Sequence, residues 1–312
     1  MDQLWDLIII GAGPAGLSAG LYAARDEIKT LILERGVVGG NIAITEKLDN
    51  YPGFPDGVTG AELAEKMKLQ AQKYGAKLAL AQVTKLDLSG EIKEIEIDGG
   101  DKLRAKSVLI ATGTTYRKLG VPGEAKGVGR GIHFCATCDA PFYKDKSVIV
   151  IGGGNSAVEE SVHIAKYTKK IDLISRGELS ATKATIKEIE PLIKNGKVAV
   201  HTFENTTEII VQGDDVTGIR TINSQTQKKT EWPADGIFVF IGQLPNTEFL
   251  QDSGVELCKM GYVLTDKNQT NLTGVFAAGD VCAWSPQQAV VAAGDGVRAA
   301  LEIGNYLQYN NK

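Results

Sequence analysis

An α/β chain of two domains, the second inserted into the first, is predicted by three features of this sequence. A buried strand, a glycine turn and a small-residue helix occur twice, in WDLIIIGAGPAGLSAGLYAAR from Trp5 and in KSVIVIGGGNSAVEESVHIAK from Lys146. Two further strand-and-glycine segments, SVLIATGTTYR at 107–117 and DGIFVFIGQLPN at 235–246, bracket the second copy. The segment from Gly274 reads as a strand, a loop ending at Asp280 and a long helix of small residues, which returns to complete the first domain. The chain therefore crosses between domains near Thr114 and Gly242. Residues 1–115 with 244–312 form one domain, and residues 116–243 form the insert.

Each copy fits the pattern G-x-G-x-x-G/A, with Gly11, Gly13 and Gly16 in the first and Gly152, Gly154 and Ala157 in the second. The first glycine permits a tight turn, the second lets a pyrophosphate approach the backbone, and the third position lets helix pack on strand. Free N–H groups and the positive dipole end at the helix start favour phosphate. One such turn is a weak signal, because a glycine-rich connection needs no ligand. Two in strand-helix context predict two dinucleotide-binding domains, each a three-layer β/β/α sandwich.

A carboxylate at the end of the second strand normally holds the ribose diol. TLILERG places Glu34 23 residues after Gly11, as a free 2′-hydroxyl requires, so the first site reads as an ADP-ribosyl site for FAD or NAD. IDLISRG places Ser175 at the same offset from Gly152, with Arg176 beside it, a residue suited to a 2′-phosphate. The lysine- and glutamate-rich stretch KLDLSGEIKEIEIDGGDKLRAK alternates with period two and predicts the hairpins of a small meander.

Composition excludes several classes. With 43% apolar and 23% charged residues in 312, the chain is ordinary globular material with room for two cores. A net charge of −4 argues against nucleic-acid partners and basic membrane-surface binding. No cationic leader opens the sequence, and its longest apolar stretch is broken by Gly and Pro, so no membrane partner is expected. Four scattered cysteines point to a reducing compartment, read as the cytoplasm.

Two of those cysteines lie in FCATCDAPF, residues 134–142. No second CxxC or HxxxH accompanies Cys135 and Cys138, so no metal site is expected. A disulfide across two residues closes a tiny loop and removes little chain entropy, which suits electron exchange better than stapling. The pair is expected at the start of a helical turn, where a thiolate is available at neutral pH. Asp139, directly after the pair, reads on its own as a helix cap. His133 is assigned no role, Cys258 and Cys282 read as small buried hydrophobes, and Trp284 as a lid or a surface anchor.

These residues resemble the low-molecular-weight flavin thioredoxin reductases over nearly the whole chain. The resemblance is carried by GAGPAG at 11–16, GG at 39–40, DNYPG at 49–53, ATG at 111–113, CATCD at 135–139, GGGNSAVEE at 152–160 and GVFAAGD at 274–280. It implies FAD in the first domain, with Gly11, Gly13, Gly16 and Glu34 at its ADP half and Gly40, Asn50, Asp280, Gln288 and Ala289 near the ribityl chain and ring. It implies a nicotinamide-type second domain carrying the dithiol, a homodimer, and an insert that swings about the two crossings. Cys138 would accept electrons from reduced flavin, Cys135 would attack the disulfide of thioredoxin or a thioredoxin-like protein, and Asp139 would protonate the departing thiolate.

The sequence also departs from that pattern. The usual Gln after the GG pair is Asn41, and the usual Arg-Gln on the flavin side is Gln287-Gln288. Members that use NADPH carry His-Arg-Arg and, four residues later, another Arg; the matching stretch here, SRGELSA at 175–181, keeps Arg176 alone and adds Glu178. Losing two guanidinium contacts, each about 1.5–3 kcal/mol, weakens NADPH binding by orders of magnitude. The resemblance thus extends to atypical members such as the ferredoxin-dependent flavin thioredoxin reductases, with reduced ferredoxin or NADH as donor. NADPH-dependent reduction and a flavin dithiol oxidase using oxygen are the alternatives.

Overall fold

The computed structural model describes residues 3–45 and 47–310; residues 1–2, 46 and 311–312 lie outside the described residues. The chain forms two compact units, Met1–Thr115 with Leu244–Lys312, and Tyr116–Gln243.

The first unit starts with β1 (Leu4–Ile10), α1 (Pro14–Arg25), β2 (Thr30–Glu34), α2 (Gly60–Lys73), β3 (Lys77–Leu80), β4 (Val83–Asp87), β5 (Lys93–Ile97) and β6 (Lys102–Ile110). A crossing strand, β7 (Thr114–Tyr116), leads to the second unit: α3 (Glu124–Gly127), β8 (Ile132–His133), α4 (Ala136–Asp139), β9 (Ser147–Ile151), α5 (Asn155–Ile164), β10 (Lys170–Ile174), α6 (Lys183–Lys194) and β11 (Val198–His201). The meander β12 (Glu204–Gln212), β13 (Asp215–Asn223) and β14 (Lys229–Pro233) follows, then β15 (Gly236–Val239). The return crossing β16 (Gln243–Pro245) precedes β17 (Val275–Ala277) and α7 (Ala289–Asn310).

The sheet of the first unit runs β3-β2-β1-β6-β5-β4, with β17 also on β6. Strand β1 is apolar without alternation because both of its faces are covered. Leu7 and Ile9 pack on Leu17 and Ala23 of α1 and Ile303 of α7. Ile8 and Ile10 pack on Leu86 of β4 and Ile95 of β5. Strand β6 has two kinds of neighbour on one edge: its first half, 102–105, pairs antiparallel with β5, and its last residues, 108–110, pair parallel with β17. That divided edge lets the one seven-stranded sheet pass from parallel strands to an antiparallel meander, whose Leu86 and Ile95 pack over Ile8 and Ile10 on the face away from the helices.

The second unit follows the same plan. Its all-parallel sheet runs β11-β10-β9-β15-β8 beside a separate antiparallel sheet β12-β13-β14. Val148 and Val150 of β9 pack on Ala157 and Val158 of α5 and Ile189 of α6, while Ile149 and Ile151 pack on Ile209, Val216 and Ile219 of the meander. Phe238 of β15 is fully buried, contributing roughly 2–3 kcal/mol. The Thr182 hydroxyl caps α6 by accepting from Thr185 N–H at 3.3 Å.

The two crossings pair as a ribbon of β7 and β16. Asn246, just past the ribbon, donates its amide to the Thr112 carbonyl at 2.8 Å and accepts from the Thr115 hydroxyl at 2.8 Å. The sequence of 235–246 reads as a strand and a glycine turn; the structure shows that Asn246 ties the outgoing chain to the returning one.

Candidate active site

Cys135 and Cys138 form a disulfide, with Cα atoms 5.3 Å apart. Cys135 is the N-cap of α4, and its Sγ accepts the Cys138 N–H at 3.2 Å. Both cysteines are half-buried, and Thr137 between them is exposed, so the pair is reachable from solvent. Asp139 ends α4 and is the N-cap of the 3-10 turn Ala140–Tyr143, without a side-chain cap bond there, and it is buried.

Sequence reasoning gave His133 no role; the structure buries it against Asp139. Its Nδ1 stands 3.4 Å from Asp139 Oδ2, and its Nε2 is 2.6 Å from the Tyr143 hydroxyl. Phe238 completes the surround, with its ring centroid 5.2 Å from that of His133. The signal available in the sequence was spacing: His133 and Tyr143 flank CATCDA from a two-residue strand and from the turn after α4.

In the first unit, Gly11 sits at φ +109, the left-handed region, and a Cβ there would run into the Ala111 carbonyl. Gly13 is the N-cap of α1 with no side-chain cap, and a Cβ at Gly13 would meet nothing nearer than the Gly39 carbonyl at 4.0 Å. Open space over an uncapped helix start is what a pyrophosphate needs. Glu34 Oε2 accepts from Ala12 N–H and Oε1 from Gly36 N–H, both at 2.8 Å, leaving lone pairs free to take ribose hydroxyls. Gly39 N–H donates to the Ala12 carbonyl at 2.8 Å, which brings Gly40 beside the turn. Asn50 donates to Gln288 at 3.2 Å, immediately before Ala289 opens α7. Burial pushes the Asp280 carboxyl above the usual carboxylate range, against a hydrogen bond from Ser285 that lowers it. Asn41, in place of the usual Gln, donates to the Thr114 carbonyl at 3.1 Å. The open helix start at Gly13 and the Glu34 carboxylate beside the turn fit the ADP half of an FAD.

In the second unit, Gly152 has φ +151, and a Cβ there would stand 2.7 Å from that of Ala157. Gly154 is the uncapped N-cap of α5. The surroundings of this turn differ from those of the first. Ser175 is buried at the end of β10, with its side chain against Gly153. Ser180 N–H donates to the Gly153 carbonyl at 2.7 Å, and Asn155 Oδ1 accepts from Thr182 N–H at 2.7 Å. The segment after Arg176 thus folds back onto the glycine turn, with Arg176 and Glu178 exposed.

Cys258, expected to be buried, is only half-buried. Cys282 is buried, and burial pushes its thiol up to about 12, so it is not a nucleophile at neutral pH. Trp284 is 91% exposed at φ +69, a surface residue in this structure. Among the described residues no group of three or more His, Cys, Asp or Glu could hold a metal ion, and no helix is long and apolar enough to cross a membrane.

Residues 5–296 match the family described as "Pyridine nucleotide-disulphide oxidoreductase". A thioredoxin reductase of Peptoclostridium acidaminophilum is 41% identical, covering 99% of this chain and 99% of its own. One of Streptomyces coelicolor is 40% identical over 98% of this chain and 95% of its own. The crystal structure of thioredoxin reductase from Streptococcus pyogenes superposes with a TM-score of 0.92 at 34% identity, covering 99% of this chain and 100% of that one. Matched from its first strand into its last helix, the chain belongs to the pyridine nucleotide-disulphide oxidoreductase family, among the thioredoxin reductases.

Proposed function

We propose that this chain is an FAD-dependent thioredoxin-disulfide reductase whose Cys135–Cys138 pair reduces thioredoxin or a thioredoxin-like protein, working as a homodimer and fed by reduced ferredoxin or NADH rather than ordinary NADPH. The observation that carries the reading is the half-buried disulfide at the start of α4 with a buried carboxyl next to it.

FAD, when bound, supplies two-electron redox chemistry, and the family is FAD-dependent. Gly11, Gly13, Gly16 and Glu34 would hold its ADP half; Gly40, Asn50, Asp280, Gln288 and Ala289 would line the rest. Two electrons and two protons convert the Cys135–Cys138 disulfide to two thiols. Cys135 loses its proton to solvent and, as thiolate, attacks the substrate disulfide, forming a mixed disulfide and expelling one thiolate, which takes a proton from Asp139. The Cys138 thiol returns a proton to the Asp139 carboxylate and, as thiolate, attacks Cys135 Sγ, re-forming the Cys135–Cys138 bond and expelling the second substrate thiolate, which is protonated by solvent.

The donor reading rests on SRGELSA. Arg176 alone offers a guanidinium there, Glu178 adds a negative charge, and Ser180 and Thr182 close onto the glycine turn. The intact turn of Gly152, Gly154 and Ala157 favours the second reading, NADPH-dependent reduction, since it leaves space for a pyrophosphate. Mixing the oxidised protein anaerobically with NADPH, NADH or reduced ferredoxin separates them. Bleaching by reduced ferredoxin or NADH is expected; bleaching by micromolar NADPH sinks the donor reading. Oxygen uptake driven by a dithiol without any nicotinamide would assign a dithiol oxidase instead.

A further inference from the structure

We infer that His133 and Tyr143 are a positioning pair for Asp139, holding its carboxyl in both protonation states while the proton leaves for the departing thiolate. The inference rests on Asp139 as the acid and deepens that reading.

Asp139, His133 and Tyr143 are all buried, at 6%, 8% and 7% exposure. A buried acid that gives up its proton becomes a buried anion, which is costly unless a donor faces it. His133 offers that donor. With its proton on Nδ1, which stands 3.4 Å from Asp139 Oδ2, the ring faces the carboxyl at ion-pair range, and its Nε2 accepts the Tyr143 O–H at 2.6 Å. This one tautomer serves the acid and the carboxylate alike, so the acid's own proton stays available to the departing thiolate. Without Tyr143 the other ring nitrogen would have no donor in a buried site.

The packing fixes the geometry. Tyr143 and Phe238 meet edge to face with centroids 5.5 Å apart, and the His133 ring sits 5.1 Å from that of Tyr143. Gly236 makes room for the tyrosine, since a Cβ there would overlap its ring. The His133 and Tyr143 rings are therefore held between Phe238 and the Gly236 backbone.

The test uses the dependence of thiol exchange on the leaving group. Protein reduced with dithiothreitol, desalted and kept anaerobic is mixed in single turnover with oxidised thioredoxin, an alkyl disulfide whose leaving thiolate needs a proton. It is mixed separately with 5,5′-dithiobis(2-nitrobenzoate), whose acidic aryl thiolate leaves without one. His133→Phe and Tyr143→Phe are each expected to slow thioredoxin reduction by about tenfold or more while changing the aryl reaction less than about twofold. Tyr143→Phe removes one oxygen and keeps the ring, so it guards against a folding defect in the other variant. Any other pattern overturns the inference, equal slowing of both acceptors included, because a merely structural role does not distinguish leaving groups. Asp139→Asn is the control: a full thioredoxin rate there removes Asp139 as the acid, whereas a slow Asp139→Asn beside fast His133 and Tyr143 variants retires the positioning pair alone.

Discussion

The two glycine turns share a backbone and differ in their surroundings. Gly11 and Gly152 both lie at positive φ, and Gly13 and Gly154 both cap their helices without a side chain. Around the first, Glu34 accepts two backbone N–H groups and still presents lone pairs. Around the second, buried Ser175 takes the equivalent place, and the next segment donates back to the turn. The helices differ too: α1 is free of acids, whereas α5 carries Glu159 and Glu160. The turn is therefore a requirement of packing helix on strand, and binding is specified by the second strand together with the loop that leaves it.

The largest effect expected from this contrast is at Glu34. Glu34→Ala removes two charge-assisted hydrogen bonds of about 1.5–3 kcal/mol each, so the dissociation constant for FAD should rise by at least about 100-fold. Ser175→Ala should leave flavin content unchanged in the same titration; flavin loss from both variants would erase the distinction. Next in size, the double substitution Gly177→Arg with Ala181→Arg should tighten 2′,5′-ADP binding about 100-fold by calorimetry, and no gain would mean that the folded-back segment itself blocks the site. Arg176→Ala, which removes one exposed charge, should weaken the same ligand by less than about tenfold.

The smallest effect concerns α5. Burial, then the neighbouring Glu159, raises the Glu160 pKa above the ordinary glutamate value. A carboxyl whose folded pKa is raised prefers to be protonated in the fold, so its ionisation costs stability above the folded pKa, and none is lost below the unfolded value. Glu160→Gln should raise Tm by about 1–2 °C at pH 7, with the gain vanishing below about pH 4. A gain that persists in acid would place its origin in packing rather than charge.

The sequence made legible whatever depends on local pattern. Unbroken apolar runs announced strands covered on both faces, period-two alternation at 85–106 announced the meander of β4, β5 and β6, and two glycine turns announced the layered units. Cys135 and Cys138 declared themselves by spacing alone. The hidden features depend on contacts made across the fold. His133 reads as one more polar residue in a loop until β8 is laid beside β15, which brings Phe238 to its ring. Ser180 and Thr182 look like loop residues until their N–H groups are seen to end on Gly153 and Asn155. Pattern reports which face a residue shows; it does not report which partner arrives there.

The divided edge of β6 also dictates an order of assembly. One half of that edge is filled by β5, made just before it, but the other half waits for Val275–Ala277, which leave the ribosome only after the whole insert. During translation the second unit is thus a continuous stretch able to close on its own, while the first holds an unpaired strand edge for about 10–30 s at ordinary elongation rates. The nascent chain is most exposed to mispairing along that open edge of β6, and a strand made after the insert is what seals it.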